Sequence, residues 1–427
     1  MSMAARRICI AMSGGVDSSV AALLLSRQYP KSQLLGIHMT NWSHHDGSPC
    51  HQSQLEFQLV SKTCRLLGIE CKSTSFEKEY VTEVFDPFVC KFTKNITPNP
   101  DVDCNRLIKF GKLLEFVKEI AGPDALLATG HYARLSKDNL LTEALDPKKD
   151  QSYFLSTVPS PAFNDILFPI GDLLKTGGSN SVRQIAQDAD LPSKDKKDSF
   201  GICFVNESSP RSTSAEQIQA QKQPQAQPQP QSQTKTPRGE GRRFAFTNFM
   251  QDYLPPSRID TTFIDIETNE TIGNKSMIQP LFYTVGQGAR IGGEKKKWFV
   301  CGKDDFNVFV CDSTHHPALY TDEILVDNFN WIAGDLDESG PFKCRVRHLQ
   351  PLIDCRIKRI DDKENGGMVR VTFDRPLRGV AVGQVCCVYA AEEEGVAAGR
   401  LVVGGGEIIK NGQSYFERGK ELFIYDY

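Results

Sequence analysis

Short apolar runs alternate with amphipathic stretches of helical length through the first half of the chain. The runs Ile8-Cys9-Ile10-Ala11-Met12, Leu34 to Met39, Ile69 to Ser73 and Ala125 to Thr129 have the length and density of buried parallel strands. Between them, Val20 to Gln28, Gln54 to Leu67 (stopped by Gly68), Tyr80 to Phe92 and Ile108 to Ile120 read as helices. Strands separated by helices imply right-handed crossovers and an α/β, doubly wound parallel sheet. Ligands in such sheets lie beyond the carboxyl ends of the strands, so residues near Ser13, Met39 and Gly130 are expected to share one cleft.

The pattern changes twice in the second half. Gln217 to Gln233 is almost wholly Gln, Ala, Pro, Lys and Ser, and this stretch is predicted to stay disordered because it has too little apolar surface to offset its ordering entropy. Beyond it, Arg242-Arg243-Phe244 opens a short unit that contains Phe249 and Tyr253-Leu254-Pro255-Pro256. From Trp298 onward strict alternation sets in, at Trp298 to Val300, Val308 to Val310, Cys344 to Arg347, Val369 to Phe373 and Gln384 to Tyr389, which predicts a small barrel or sandwich. The expected units are therefore 1–206, a catalytic α/β domain; 207–241, an insert; 242–297, a small central domain; and 298–427, a β-domain.

Composition narrows the chemistry. The 427 residues carry a formal net charge of −3, so any nucleic-acid contact must come from local patches. No apolar run approaches the roughly 20 residues of a membrane-spanning helix. Thirteen cysteines occur without a single C-x-x-C, which argues against a zinc ribbon and for free thiols in a reducing compartment. His44, His45, Cys50 and His51 crowd one loop, but their spacing fits no standard zinc site, and no metal ligands are assigned.

Three stretches carry candidate chemistry. Ser13-Gly14-Gly15-Val16-Asp17-Ser18-Ser19 sits on a strand-to-helix turn, where glycines let the backbone approach a ligand and the helix N-terminus faces an anion. It lacks the Walker A lysine and matches the loop of enzymes that split ATP between its alpha and beta phosphates. ATP is the expected ligand, with Asp17 holding the accompanying Mg2+. In Thr97-Pro98-Asn99-Pro100-Asp101-Val102-Asp103-Cys104-Asn105, two prolines and several turn formers predict an ordered loop rather than a helix. Cys104 is expected near the start of the following helix, whose dipole lowers a thiol pKa. Asp198-Ser199-Phe200-Gly201-Ile202-Cys203-Phe204 places a second cysteine after a glycine turn.

The order S-G-G-V-D-S-S, N-P-D-x-x-C-N, T-G-H-Y-A, K-D-Q-S-Y and D-S-x-G-I-C-F resembles the tRNA-specific 2-thiouridylase family, and the contexts of Asn41-Trp42 and Asp86-Pro87-Phe88 resemble its mitochondrial branch. The resemblance spans nearly the whole chain apart from the insert. It implies an adenine nucleotide alpha hydrolase-like (PP-loop) domain, a small central tRNA-binding domain and a C-terminal β-barrel. The implied reaction is ATP-dependent 2-thiolation of the wobble uridine of tRNA. The resemblance assigns ATP contacts to Ala11, Met12, Ser13, Gly14, Gly15, Val16, Asp17, Ser18, Met39 and Gly130. Asn99, Pro100 and Asp101 would surround the flipped base, with Asp101 as general acid or base. Cys203 would carry sulfur as a persulfide and Cys104 would attack it, leaving a disulfide. His131, Lys149, Asp150, Gln151, Arg347, His348 and Gln384 would lie along the tRNA anticodon loop. A persulfide-carrying donor protein, a monomeric state and the mitochondrial matrix (cytoplasm as the alternative) complete the expectation, Arg6 and Arg7 standing ahead of any acid. The rival enzyme is a lysidine-type synthetase or amide ligase, which adenylates a carbonyl but delivers nitrogen and needs no cysteine pair. A non-catalytic tRNA-binding protein is the remaining alternative.

Overall fold

A computed structural model describes residues 6–42, 51–198, 246–247, 249–254, 260–275, 279–334, 338, 340–360, 367–391 and 399–422. The first five-stranded sheet consists of β1 (Ile8–Ala11), β2 (Leu34–Thr40), β3 (Glu70–Ser75), β4 (Leu126–Ala128) and β7 (Ile166–Leu167), with a small hairpin of β5 (Arg134–Leu135) and β6 (Leu141–Thr142) between the last two. Its order is β3-β2-β1-β4-β7 and every pairing is parallel. The chain moves outward from β1 through β2 to β3, then returns to pair β4 on the other side of β1. That reversal opens a crevice at the carboxyl ends of β1 and β4.

Helices α1 (Val16–Gln28) and α2 (His51–Leu67) cover the sheet, and Ile8, Ile10, Val20, Leu34, Val60 and Cys64 meet in one buried core. The continuous helical run α3 (Glu77–Tyr80) to α4 (Asp86–Thr93) contains a π-type turn at Val81–Phe85. The Asn99 segment departs from the expected loop. Asn99 caps α5 (Pro100–Asp103), which continues through π-type turns at Cys104–Lys112 into α6 (Leu113–Ala121). Pro100 is the reason, because a proline at the first helical position loses no hydrogen bond and arrives with helical φ. Cys104 is thus inside a helix rather than at its start. Two further helices, α7 (Ser152–Leu155) and α8 (Val182–Asp188), complete this part.

The β-rich half divides differently from the expectation. Strands β8 (Thr261–Asp265), β9 (Thr271–Lys275), β10 (Phe299–Lys303) and β11 (Asn307–Cys311) form a separate sheet in the order β10-β11-β8-β9. An expected boundary at 297/298 would cut that sheet, because alternation marks a strand without naming its partner. The closed barrel comprises β12 (Tyr320–Trp331), β13 (Phe342–Arg345), β14 (Ile353–Arg359), β15 (Val369–Arg378), β16 (Val385–Ala390) and β17 (Val402–Asn411). It closes as β12-β15-β14-β13-β16-β17, around Phe329, Val371, Phe373, Cys386 and Val388. Residues 1–199 and 259–427 group into one compact unit, whereas 200–258 form another. The predicted disorder of 217–233 lies outside the described residues, as do Cys203, His44, His45 and Cys50.

Candidate active site

The loop from β1 into α1 lies at the switch point. Gly14 has φ +68°, and a Cβ there would stand 2.8 Å from the Glu56 carbonyl oxygen, so glycine is required twice over. Gly15 precedes the helix, its carbonyl accepting from Ser18 Oγ at 3.2 Å and Ser19 Oγ at 2.8 Å. The Ser13 amide donates to Ser18 Oγ at 3.3 Å, and the Gly15 amide donates to Ser13 Oγ at 3.4 Å. Hydroxyls therefore brace the loop from within. From the neighbouring strand, Gly130 presses on the same turn, where a Cβ would fall 2.6 Å from the Ser18 nitrogen. The Met12 carbonyl accepts from His38 Nδ1 at 3.1 Å, and burial lowers the His38 pKa.

Asp17 projects from the first turn of α1 into a charged chain. Its oxygens lie 2.7 and 2.9 Å from Lys175 Nζ, and Tyr132 donates its hydroxyl to it at 2.9 Å. Burial, then the Asp17 charge, push the Tyr132 pKa far up, so the phenol keeps its proton. Lys175 also reaches Asp198 at 3.0 Å. Asp198 in turn pairs with Lys149 at 2.7 Å and Arg183 at 2.6 Å. Partial burial raises the Asp198 pKa, but hydrogen bonds from Lys149 and Lys175 outweigh it and hold the carboxyl ionised well below its usual range. Sequence reasoning missed Lys175. It sits in a glycine-rich connection, Gly171-Asp172-Leu173-Leu174-Lys175-Thr176-Gly177-Gly178, where a lysine reads as solvated. Tyr132 lay inside the T-G-H-Y-A motif but carried no assignment.

Cys104 is buried, and Asn41 Nδ2 points at its sulfur across 3.9 Å. Asn41 follows β2, so the cysteine lies at the carboxyl edge of the sheet. One turn earlier, Asp101 has its pKa raised by burial, with Lys109 opposing. Lys109 Nζ donates to Asn105 Oδ1 at 3.1 Å, and Asn105 Nδ2 donates to the Asp101 carbonyl at 2.9 Å. Asn99, Val102, Asp103 and Arg106 line a cleft of about 620 Å³ whose other wall is barrel residues including Asn330, Trp331 and Glu407. All eleven described cysteines are free thiols, so the Cys104–Cys203 disulfide is not seen among the described residues.

Several residues expected along an RNA also join the α/β part to the barrel. Asp150 is 1% exposed, and its carboxylate accepts from the Ala144 amide, Ser152 and Arg345. Arg345 also meets Glu143 at 2.8 Å, and Ser152 Oγ contacts the Tyr389 hydroxyl at 3.1 Å. His348 Nε2 donates to the Asp150 carbonyl at 2.8 Å while its ring lies against Phe154. Gln384 donates to the Thr97 carbonyl at 2.8 Å, and Arg347 donates to the carbonyls of Val285 and Gly379. His131 packs on Phe110 and Phe168 with Nδ1 at 2.8 Å from Thr129 Oγ1, and burial lowers its pKa strongly. Gln151 exchanges hydrogen bonds with the Tyr132 backbone. Only Lys149 among these presents its charge to the phosphate-loop network. A polar motif of this kind signals demanding hydrogen bonding, but not which partner supplies it.

Both Asp17 oxygens already face the Lys175 ammonium, so a magnesium ion at Asp17 would have to arrive with a nucleotide and displace that pairing. Asp17 offers one carboxylate at the loop, and no cluster of three or more ligating side chains occurs among the described residues.

Residues 6–207 match the family profile described as "tRNA methyl transferase HUP domain", and 321–408 match "Aminomethyltransferase beta-barrel domain". The chain is 35% identical over 408 residues to the tRNA-specific 2-thiouridylase MnmA of Chlamydia trachomatis, covering 94% of this chain and 97% of that one. It is 33% identical over 394 residues to the protein of the same name from Bacillus subtilis, covering 91% and 92%. Among solved structures, an NMN synthetase from Francisella tularensis overlaps 46% of this chain and 68% of its own at 16% identity, with a TM-score of 0.28.

Proposed function

The chain belongs to the family of tRNA-specific 2-thiouridylases, and from that membership we propose how its residues carry out the reaction. The protein is a tRNA-uridine 2-sulfurtransferase. A uridine 2-oxygen is a poor leaving group, so it must first be activated. We assign ATP to the loop from Ala11 to Ser18, with Met39 and Gly130 beside it and Mg2+ on Asp17. The uridine oxygen attacks the alpha phosphorus, the bond to the beta phosphate breaks, and pyrophosphate leaves. The terminal sulfur of a Cys203 persulfide then attacks C2 and AMP departs. Cys104 thiolate then attacks Cys203 Sγ, the bond from Sγ to the transferred sulfur breaks, 2-thiouridine leaves with that electron pair, and a Cys104–Cys203 disulfide remains. An external thiol reductant resets the pair.

The observation that carries this reading is the braced glycine loop at the β1/β4 switch point, with Asp17 leading through Lys175 to Asp198 at the head of the Cys203 segment. Asp101, whose pKa burial raises, is assigned to the base edge as general acid or base, and Asn99 and Pro100 to the walls around an extruded base. An anticodon loop is the natural target, since unstacking a loop base costs less than opening a duplex. A persulfide-carrying protein is proposed as donor and the monomer as the working form. The bacterial relatives lend no argument to a mitochondrial location, which rests on Arg6, Arg7 and the motif contexts alone.

Mass spectrometry of nucleosides from tRNA incubated with enzyme, ATP and a sulfur donor tests the reading. The expected product is 2-thiouridine in place of uridine, formed only with ATP. A product nucleoside whose carbonyl oxygen is replaced by nitrogen rather than sulfur would move the chain to the ligase reading.

A further inference from the structure

We propose that Arg378 joins Arg347 in a clamp for one phosphodiester of the RNA backbone, at the seam between the four-stranded sheet and the barrel. This rests on the thiouridylase reading above and adds Arg378 to it. Arg378 is the last residue of β15, and Arg347 lies just past β13. Two glycine turns meet between them. Gly286 has φ +89° and Gly379 has φ +65°, and a Cβ on Gly286 would stand 3.2 Å from Gly379 Cα. Arg347 Nη2 donates to the Val285 carbonyl at 3.0 Å and to the Gly379 carbonyl. Arg378 donates from Nε to the Thr314 carbonyl at 2.9 Å and from Nη2 to the Gly286 carbonyl at 3.0 Å. Both side chains are half-buried and held in place.

Every acceptor in this arrangement is a neutral carbonyl. Among the described residues no carboxylate pairs with either arginine, although Arg378 Nη1 and Arg347 Nη2 flank the same spot, 3.5 and 3.6 Å from where a Gly286 Cβ would stand. Burial and then the Arg378 charge lower the Arg347 pKa; the neighbour that opposes them is Tyr153, itself neutral because burial pushes its pKa up. Two like charges held together away from bulk water are stabilised by an anion that reaches both. Donors remain for one. A guanidinium carries five N–H groups, and Nε and Nη1 of Arg347 and Nη1 of Arg378 have no protein acceptor, yet none is among the buried unpartnered atoms, so they open to solvent. The planar fork suits phosphate oxygens.

Placement favours an RNA backbone over a free anion. Val382, three residues beyond Gly379, accepts from the Thr97 amide at 2.9 Å, and Gln384 donates to the Thr97 carbonyl at 2.8 Å. Thr97 leads into Asn99 and Pro100, the residues assigned above to the extruded base. On the other side, His348, next to Arg347, donates to the Asp150 carbonyl at 2.8 Å. A base held at Asn99 brings its flanking phosphates with it. A clamp on one of them fixes the register of the loop without reading sequence.

The test measures Kd of full-length enzyme for an unmodified tRNA transcript across a series of potassium chloride concentrations. Arg378→Gln is expected to weaken binding about tenfold, the loss of a charged hydrogen bond. It should also flatten the slope of log Kd against log salt by about 0.7, the single-strand value for one lost phosphate contact. Arg378→Lys should keep most of the slope. Arg347→Gln should flatten it by the same amount and the double variant no further, because both act on one phosphate. Arg356→Gln is the control for bulk charge, since Arg356 is 80% exposed and paired with Asp374; its slope should match wild type. Weaker binding by Arg378→Gln with the wild-type slope would make the seam merely structural and overturn the inference. Where Arg378→Gln does not fold, Arg347→Gln decides by the same slope. Displacement of tRNA by inorganic phosphate beyond that by chloride of equal ionic strength, lost in Arg378→Gln, would assign the seam to a free anion and overturn the RNA contact. Wild-type enzyme with no salt-dependent affinity for tRNA would overturn the underlying reading instead.

Discussion

Gly130→Ala is the sharpest test of how the cleft is built. Gly130 follows β4, whose Ala128 pairs with Ile10 of β1, and β1 leads directly into the phosphate loop. A Cβ at Gly130 would lie 2.6 Å from Ser18 N, 2.8 Å from the Asp17 carbonyl carbon and 2.9 Å from Ser18 Cα. Ordinary contact begins near 3.4 Å, so strand and helix must part by about 0.8 Å. All three atoms are backbone, and no side-chain rotation relieves the clash. Overpacking of this kind costs about 1–3 kcal/mol, and backbone-only contacts place this case toward the upper end. A shift near 1 Å in a reacting group lowers a rate roughly 100-fold. Urea unfolding should therefore report a loss of about 2–3 kcal/mol. Pyrophosphate release at saturating ATP and tRNA should fall about 100-fold. Gly302→Ala is the control, since its Cβ would meet Phe309 at an ordinary 3.6 Å; its stability should stay within about 1 kcal/mol. A Gly130→Ala enzyme with wild-type stability and rate would refute the close-approach argument.

Three further outcomes are expected. Arg345→Met leaves the buried Asp150 carboxylate without its cation while Glu143 keeps Arg400, so unfolding free energy should drop by about 3–5 kcal/mol; a loss under about 1 kcal/mol would show the knot to be incidental. His131 has its pKa pushed well below 6.5, so below that pH the unfolded chain binds the proton that the folded chain refuses. Stability should thus decline on acidification from pH 6.5, by up to about 1.4 kcal/mol per pH unit from this residue. Urea titrations at pH 7.5 and 5.5 should show that component vanish in His131→Asn, and an unchanged difference would contradict the assignment. Cys104→Ser should still load sulfur on Cys203 but stop before product release, whereas Cys203→Ser should load none; full thiolation by either variant, scored by nucleoside mass spectrometry, would dismantle the two-cysteine route.

Much of the first half was legible in the chain because its signals are local. The run Ile8 to Ala11, the glycines of the loop and the amphipathic stretch ending at Gly68 each dictate backbone geometry within a few residues, and β1, α1 and α2 follow. Asp17 and Gly130 could be placed on one cleft because parallel topology sends the carboxyl ends of strands to one edge. Where two readings were locally equivalent, the sequence was silent. Pro100 suits a rigid loop and a helix start alike, and in the fold it stands at the first helical position with Pro100 and Val102 buried. The alternation at Phe299 and Val308 does not say which sheet receives it, and only pairing with Thr261–Asp265 assigned those strands outside the barrel. Asp150, His348 and Gln384 read as polar residues awaiting a ligand. Long-range closure of the barrel against the α/β part supplied their partners from nearly 200 residues or more away. Lys175 is the extreme case. A lone lysine between glycines carries no pattern, and its role appears only when the fold brings Asp17 and Asp198 to either side, because a buried charge is defined by what surrounds it and not by what precedes it in the chain.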